Sequence, residues 1–118
     1  MKEIEGQLFI ENIPVINLAR EYGSPIFIYS AEQIKNNFEK YQNEVGSNDL
    51  ICYAVKANSN LHILKLLSEL GSGFDVVSGN ELKRCLTAGA DKNKIVFSGV
   101  AKSNEEIKLA IENDILSI

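Results

Sequence analysis

Ile51-Cys52-Tyr53-Ala54-Val55-Lys56-Ala57-Asn58-Ser59-Asn60 is an apolar run that meets one lysine and then passes into small and polar residues. A short apolar stretch bounded by turn formers reads as a buried strand. The expected strand is 51–55, with Lys56 at its exit. A lysine placed there points into a mouth rather than into bulk water. Desolvation at such a position favours the neutral amine, which is the nucleophilic form that a Schiff-base lysine needs.

The pattern repeats outward from this segment. Helix Leu61–Leu70 follows and is stopped by Gly71. Strand Phe74–Val77 leads to helix Gly79–Ala88, stopped by Gly89. Strand Ile95–Phe97 leads to helix Asn104–Glu112, and Ile115-Leu116-Ser117-Ile118 opens a fourth strand. Strand–helix alternation with short connections is the signature of an α/β fold with a parallel sheet. The strands are short and apolar on both faces, as parallel strands covered by helices should be. The expected strand order follows the sequence, with right-handed crossovers. A complete eight-stranded barrel takes roughly 250 residues. Three units and a fourth strand fit a small doubly wound domain or the first half of a barrel, and periodicity does not separate the two.

Before residue 50 the pattern is less regular. A short strand is expected over Gln7–Glu11 and a helical stretch over Val15–Tyr22, interrupted upstream by Pro14. Pro25 opens a second strand, Ile26-Phe27-Ile28-Tyr29. Ser30-Ala31-Glu32-Gln33 reads as a capping box, and apolar residues at 31, 34, 38, 41 and 45 give the next helix one stripe, ended by Gly46. Ser78-Gly79-Asn80-Glu81 and Ser103-Asn104-Glu105-Glu106 read as two more boxes. They bring helix N-termini, with their partial positive charge, to the face where Lys56 emerges, a face suited to an anion.

The 118 residues suffice for one domain with a core, and 45% apolar with 24% charged residues is ordinary for a globular chain. A net charge of −4 without any basic block argues against nucleic-acid or anionic-membrane partners. No apolar run is long enough to span a bilayer, and Met1-Lys2-Glu3-Ile4-Glu5 is unlike a signal-peptide start, so the expected compartment is cytoplasmic. Cys52 and Cys85 have neither a CxxC partner nor a histidine at metal-ligand spacing. They read as small buried thiols, with no disulfide and no metal.

Alternation puts Cys52, Ala54 and Lys56 on one face of their strand, and Asp75 and Val77 on one face of the next. Small Ala54 leaves room for a flat ring beneath Lys56. Asp75 is an acid inside an apolar strand and needs a partner; Lys56 or a polar cofactor group is the expected one. Each residue also has a plain reading. A strand-end lysine snorkels, an aspartate marks a turn, Ser78 and Glu81 cap a helix. His62, the one histidine, is a solvated first-turn residue without a role.

Read together, Tyr53-Ala54-Val55-Lys56-Ala57-Asn58-Ser59-Asn60, Gly71-Ser72-Gly73-Phe74-Asp75-Val76-Val77-Ser78-Gly79-Asn80-Glu81-Leu82 and Lys94-Ile95-Val96-Phe97-Ser98-Gly99-Val100-Ala101-Lys102-Ser103 closely resemble the start of the diaminopimelate decarboxylase family. That family belongs to the alanine-racemase-like, fold-type III pyridoxal-phosphate enzymes. The resemblance runs from about Gly6 to the last residue. Three blocks in order and at the right gaps are specific, whereas the first block alone has relatives in ornithine and arginine decarboxylases and alanine racemases.

The resemblance implies the N-terminal half of a pyridoxal-phosphate-binding (β/α)8 TIM barrel over residues 30–118. It implies that residues 1–29 are a segment joining a C-terminal β domain. It implies that Lys56 forms the internal aldimine with pyridoxal 5'-phosphate, that Ala54 and Asp75 lie close to this cofactor, and that Glu81 belongs to the polar network around it. The implied activity is a carboxy-lyase reaction of lysine biosynthesis, meso-2,6-diaminopimelate to L-lysine, in a cytoplasmic homodimer. The family's phosphate loop, pyridine-nitrogen acid, stacking histidine and substrate-binding residues come from later sequence. The 118 residues are therefore expected to be a truncated piece, inactive alone and poorly stable as a monomer because the unclosed barrel leaves sheet edges open. Another fold-type III decarboxylase and a non-catalytic module of the same fold are the competing expectations. An intact Lys56 and Asp75 argue against the latter.

Overall fold

Lys2–Ile4 (β1), Gln7–Ile10 (β2) and Ile13–Pro14 (β3) form an antiparallel sheet in the order β1-β2-β3, with Lys2 opposite Phe9, Ile4 opposite Gln7 and Ile10 opposite Ile13. The computed structural model describes every residue from Met1 to Ile118, in two compact units, Met1–Asn36 and Asn37–Ile118. Only the β2 strand of this sheet is expected from the sequence. β1 and β3, three and two residues long, are too short for an alternating pattern to register.

Val15–Tyr22 forms helix α1, as expected. Pro14 precedes it with φ −61° and ψ 126°, entering the helix without needing the N–H that proline lacks. The strand expected over Ile26–Tyr29 is absent. Ile26 and Ile28 are half-buried while Phe27 and Tyr29 are exposed, the alternation of a strand, but no second backbone pairs with them. Helix α2 covers Ala31–Glu44. Ser30 Oγ accepts from Gln33 N–H at 3.0 Å and donates to Glu11 Oε1 at 2.8 Å, and the same Glu11 oxygen accepts from Glu32 N–H at 3.1 Å. These bonds, the Glu32 amide first, hold the Glu11 carboxyl below its ordinary value. Of the stripe expected on α2, Phe38 is buried and Ile34 half-buried, whereas Ala31, Tyr41 and Val45 are exposed.

In the second unit Cys52–Ala54 (β4), Gly73–Val76 (β5) and Ile95–Phe97 (β6) make a parallel sheet in the order β4-β5-β6. Helices α3 (Leu61–Glu69) and α4 (Gly79–Thr87) make the crossovers, and α5 (Asn104–Glu112) follows β6. Gly71 and Gly89 lie just past α3 and α4 at φ +89° and +83°, the left-handed conformation that closes a helix C-terminus. The fourth strand is reduced to one parallel bridge, Val96 with Ser117. Phe97 N–H donates to Ser117 O at 2.9 Å and Ser117 N–H to Ile95 O at 3.3 Å.

The two faces of this sheet differ. Phe74, Val76, Ile95 and Phe97 lie on one face, fully buried with Val55, Leu64, Leu82, Cys85 and Ala110. That core is apolar area removed from water, the main stabilising term of the unit. The opposite face carries Cys52, Ala54, Asp75 and Val96, all half-buried. α3 packs on α4 and α4 on α5, so the helices form a single layer on one side of the sheet, the arrangement expected of a half barrel rather than of a doubly wound domain. No helix is long and apolar enough to cross a membrane.

Candidate active site

Two of the predicted site residues, Ala54 and Asp75, share the open face. In a parallel sheet, residues in register lie side by side with their side chains on the same face. Register places Ala54 beside Asp75 and Asp75 beside Val96, so a small residue, an acid and a valine form one row across the three strands. The row stands near the C-terminal ends of the strands, the end at which α/β proteins place their chemistry.

Lys56 lies just beyond this row, and its setting differs from the expected strand end. β4 stops at Ala54, and Val55–Ala57 forms a single 3-10 turn. The turn breaks the alternation that would have put Lys56 squarely over Ala54. Its anchor is Val55, fully buried in the core. The chain after the turn is tied down at two consecutive carbonyls: Tyr53 Oη donates to Asn58 O at 3.2 Å, and Arg84 Nε of α4 donates to Ser59 O at 2.7 Å. Asn58 Oδ1 accepts from Asn60 N–H, and Asn60 caps α3 through His62 N–H at 2.9 Å. The backbone of Lys56 is thus fixed on both sides while its side chain is exposed. The buried mouth expected around this lysine is not supplied by residues 1–118, because the sheet has no strands closing over its open face.

Asp75 has a partner other than the one expected. Its Oδ1 accepts a short hydrogen bond from Ser98 Oγ, and no ion pair joins it to Lys56. The carboxylate is felt by Cys52: burial first, and then the charge of Asp75, push that thiol above its ordinary value. Cys85, buried in the core, is pushed up to about 12, by burial first and the Glu81 charge second. Both thiols are free.

Glu81 stands in the first turn of α4, but the expected reciprocal box with Ser78 closes one residue early. Ser78 Oγ accepts from Glu81 N–H at 3.3 Å, whereas Glu81 Oε2 accepts from Val77 N–H at 2.8 Å. The box at Ser103 is complete, and Glu106 does more than cap its own helix: Oε2 accepts from Ser103 N–H at 2.9 Å and Oε1 from Gly79 N–H at 2.7 Å. These donors, Gly79 first, hold its carboxyl below the usual range. The positive end of α4, expected to face an anionic ligand, is already met by this carboxylate.

Sequence reasoning passed over Ser98, Tyr53 and Arg84. Ser98 had a readable signal, since it shares parity with Val96 and so falls on the open face. The other two act on backbone carbonyls across a turn, which no spacing rule reports.

Residues 31–118 match the family model described as pyridoxal-dependent decarboxylase, pyridoxal binding domain. The diaminopimelate decarboxylase of Vibrio cholerae is 49% identical over 109 residues, 92% of this chain and 26% of that protein. The solved structure of AQ1208 from Aquifex aeolicus superposes with a TM-score of 0.93 at 44% identity, over 98% of this chain and 29% of that one. Diaminopimelate decarboxylase from Helicobacter pylori, complexed with L-lysine, superposes with a TM-score of 0.82 at 45% identity, over 86% of this chain and 26% of that one. The chain spans about a quarter of the length of the curated relatives it matches. Its three parallel strands and their helices are the opening units of an α/β barrel. With that architecture, the three motif blocks and a match over residues 31–118, the chain belongs to the pyridoxal-binding domain family of the pyridoxal-dependent decarboxylases.

Proposed function

We propose that the protein carrying this chain decarboxylates meso-2,6-diaminopimelate to L-lysine with pyridoxal 5'-phosphate, and that Lys56 is the residue that holds the cofactor. The observation that carries the reading is an exposed primary amine without a hydrogen-bond or ion-pair partner, on a turn pinned at both sides, beside a row containing small Ala54 and acidic Asp75. The donor set fits the group: an amine for its aldehyde, a carboxylate for a polar edge, and a half-open face beside a residue too small to block a flat ring. Relatives at 42–50% identity named as diaminopimelate decarboxylases, and the neighbour solved with L-lysine, support the choice of substrate and product.

The bound cofactor supplies the electron sink for the pair left when carbon dioxide departs. The chain's own residues do the rest of what falls within residues 1–118. Lys56 binds the cofactor through Nζ, yields to the substrate amine, and is then placed to carry a proton at that nitrogen. Asp75 and Ala54 line the cofactor's surroundings. Glu81 belongs to the polar network there, with Oε2 on Val77 N–H holding the exit of β5 to the first turn of α4. Residues 1–29 join a β domain, residues 30–118 are part of the barrel, and the protein works as a cytoplasmic homodimer.

The reading is tested with the cofactor-loaded full-length protein and meso-diaminopimelate, measuring L-lysine and carbon dioxide. Equimolar release of both, abolished in Lys56→Ala, is the expected result. Turnover of ornithine or arginine in preference to diaminopimelate would move the protein to another decarboxylase of the same fold.

A further inference from the structure

Ser98 sits where the chain leaves β6, and two hydrogen bonds of its own and the close approach of the next residue tie it to the exit of β5. Its N–H donates to Val76 O at 3.0 Å, its Oγ donates to Asp75 Oδ1, and the next residue, Gly99, lies flat against Val77. A Cβ on Gly99 would stand 2.6 Å from Val77 O and 3.0 Å from Val77 C and Cα, so only glycine allows the approach. Consecutive residues 98–99 are thereby matched against consecutive residues 75–77. The hydroxyl has no latitude to wander, and the carboxylate it holds lies in the row beside Ala54.

We propose that Ser98 is a positioning residue for Asp75: its hydroxyl fixes the plane of the carboxylate on the open face, and so the direction in which Oδ2 meets a bound pyridoxal phosphate. The proposal rests on the reading of this face as the cofactor site. A hydroxyl donor on a carboxylate is a directional contact, stronger than one between neutral groups. Without the hydroxyl, the carboxylate swings freely between rotamers and spends only part of its time in the productive one. The effect of Ser98 must then pass entirely through Asp75.

The experiment is a double-mutant cycle in the cofactor-loaded full-length protein, with Ser98→Ala, Asp75→Asn and the pair, and with Ser98→Thr as the variant that keeps the hydroxyl. Three quantities are read: kcat and KM, the visible circular dichroism of the bound cofactor, and the thermal midpoint. Ser98→Ala is expected to lower kcat roughly tenfold with KM within about twofold, as for one lost hydrogen bond to a charged group. It is expected to change the cofactor's circular dichroism with little change in midpoint. Ser98→Thr restores both. In the Asp75→Asn background, Ser98→Ala adds less than about twofold, because the group it acts through is gone. Additive losses in the pair, an unaltered dichroism in Ser98→Ala, or failure of threonine to restore it in a folded protein would each overturn the assignment. Borohydride reduction of the same samples separates the two levels. Label on Lys56 with a silent Ser98→Ala defeats only the role of Ser98, whereas label on another lysine defeats the site itself and this role with it.

Discussion

Gly99→Ala tests how the exit of β6 is built. The added methyl would meet Val77 O at 2.6 Å, with Val77 C and Cα at 3.0 Å, all of them backbone atoms. Ordinary contact begins near 3.4 Å, so the carbonyl or the loop must retreat by about 0.8 Å. No flexible side chain is present among these neighbours to absorb the shift. Overpacking against a fixed framework costs about 1–3 kcal/mol. If the loop retreats instead, it forfeits the Ser98 N–H to Val76 O bond, worth about 0.5–1.5 kcal/mol. By either route the substitution is expected to destabilise the protein by about 1–3 kcal/mol. Urea unfolding followed by far-ultraviolet circular dichroism reads this as a lowered midpoint with unchanged slope. A Gly99→Ala protein within about 0.5 kcal/mol of the parent would refute the close approach, and with it the geometry that fixes Ser98 on Asp75.

Glu106 carries a pH prediction whose sign follows from its lowered folded-state pKa. Its contribution is present above the unfolded value of 4.5 and is lost as the pH falls through the folded value, so Glu106→Gln should flatten the acid limb of the stability curve and leave its slope near neutrality unchanged. An acid limb identical in parent and variant counts against the bridge from Glu106 to Gly79 and Ser103. For Cys85, burial and a thiol pushed up to about 12 predict no modification by iodoacetamide at pH 8 in the native protein, and rapid modification in urea; native labelling at the rate of a free thiol would place Cys85 outside the core.

What the sequence makes legible is local and periodic. The three β/α units around 51–112 can be read because each strand is a short apolar run and each helix has a polar cap residue before it and, for the first two, a glycine after it. α1 is legible from Pro14 at its entry and Gly23 at its end, without a polar cap. Ile26–Tyr29 has the composition of a strand and its alternation of exposure, but a strand needs a partner backbone, and composition does not carry one. The exposure of one sheet face is likewise a property of what is packed where. The apolar residues of β4 to β6 look alike on both faces, and only the helix layer distinguishes them. Ala54 and Asp75 could be placed on one face from parity, and the motif singles out Lys56. Their environment could not: a 3-10 turn intervenes after Ala54, Ser98 takes the carboxylate expected to face Lys56, and Glu106 occupies the helix end expected to face an anion. In the last two cases a long-range partner, 23 and 27 residues away in the chain, decides what a local pattern leaves open.

The central claim is that Lys56 is the lysine that holds the cofactor, and borohydride reduction tests it most directly. The full-length protein is loaded with pyridoxal 5'-phosphate, reduced, digested and sequenced by mass spectrometry. The account predicts one pyridoxyl group, on the peptide containing Lys56, and none on that peptide without cofactor. A pyridoxyl group on any other lysine, with the peptide of Lys56 unmodified, would contradict it.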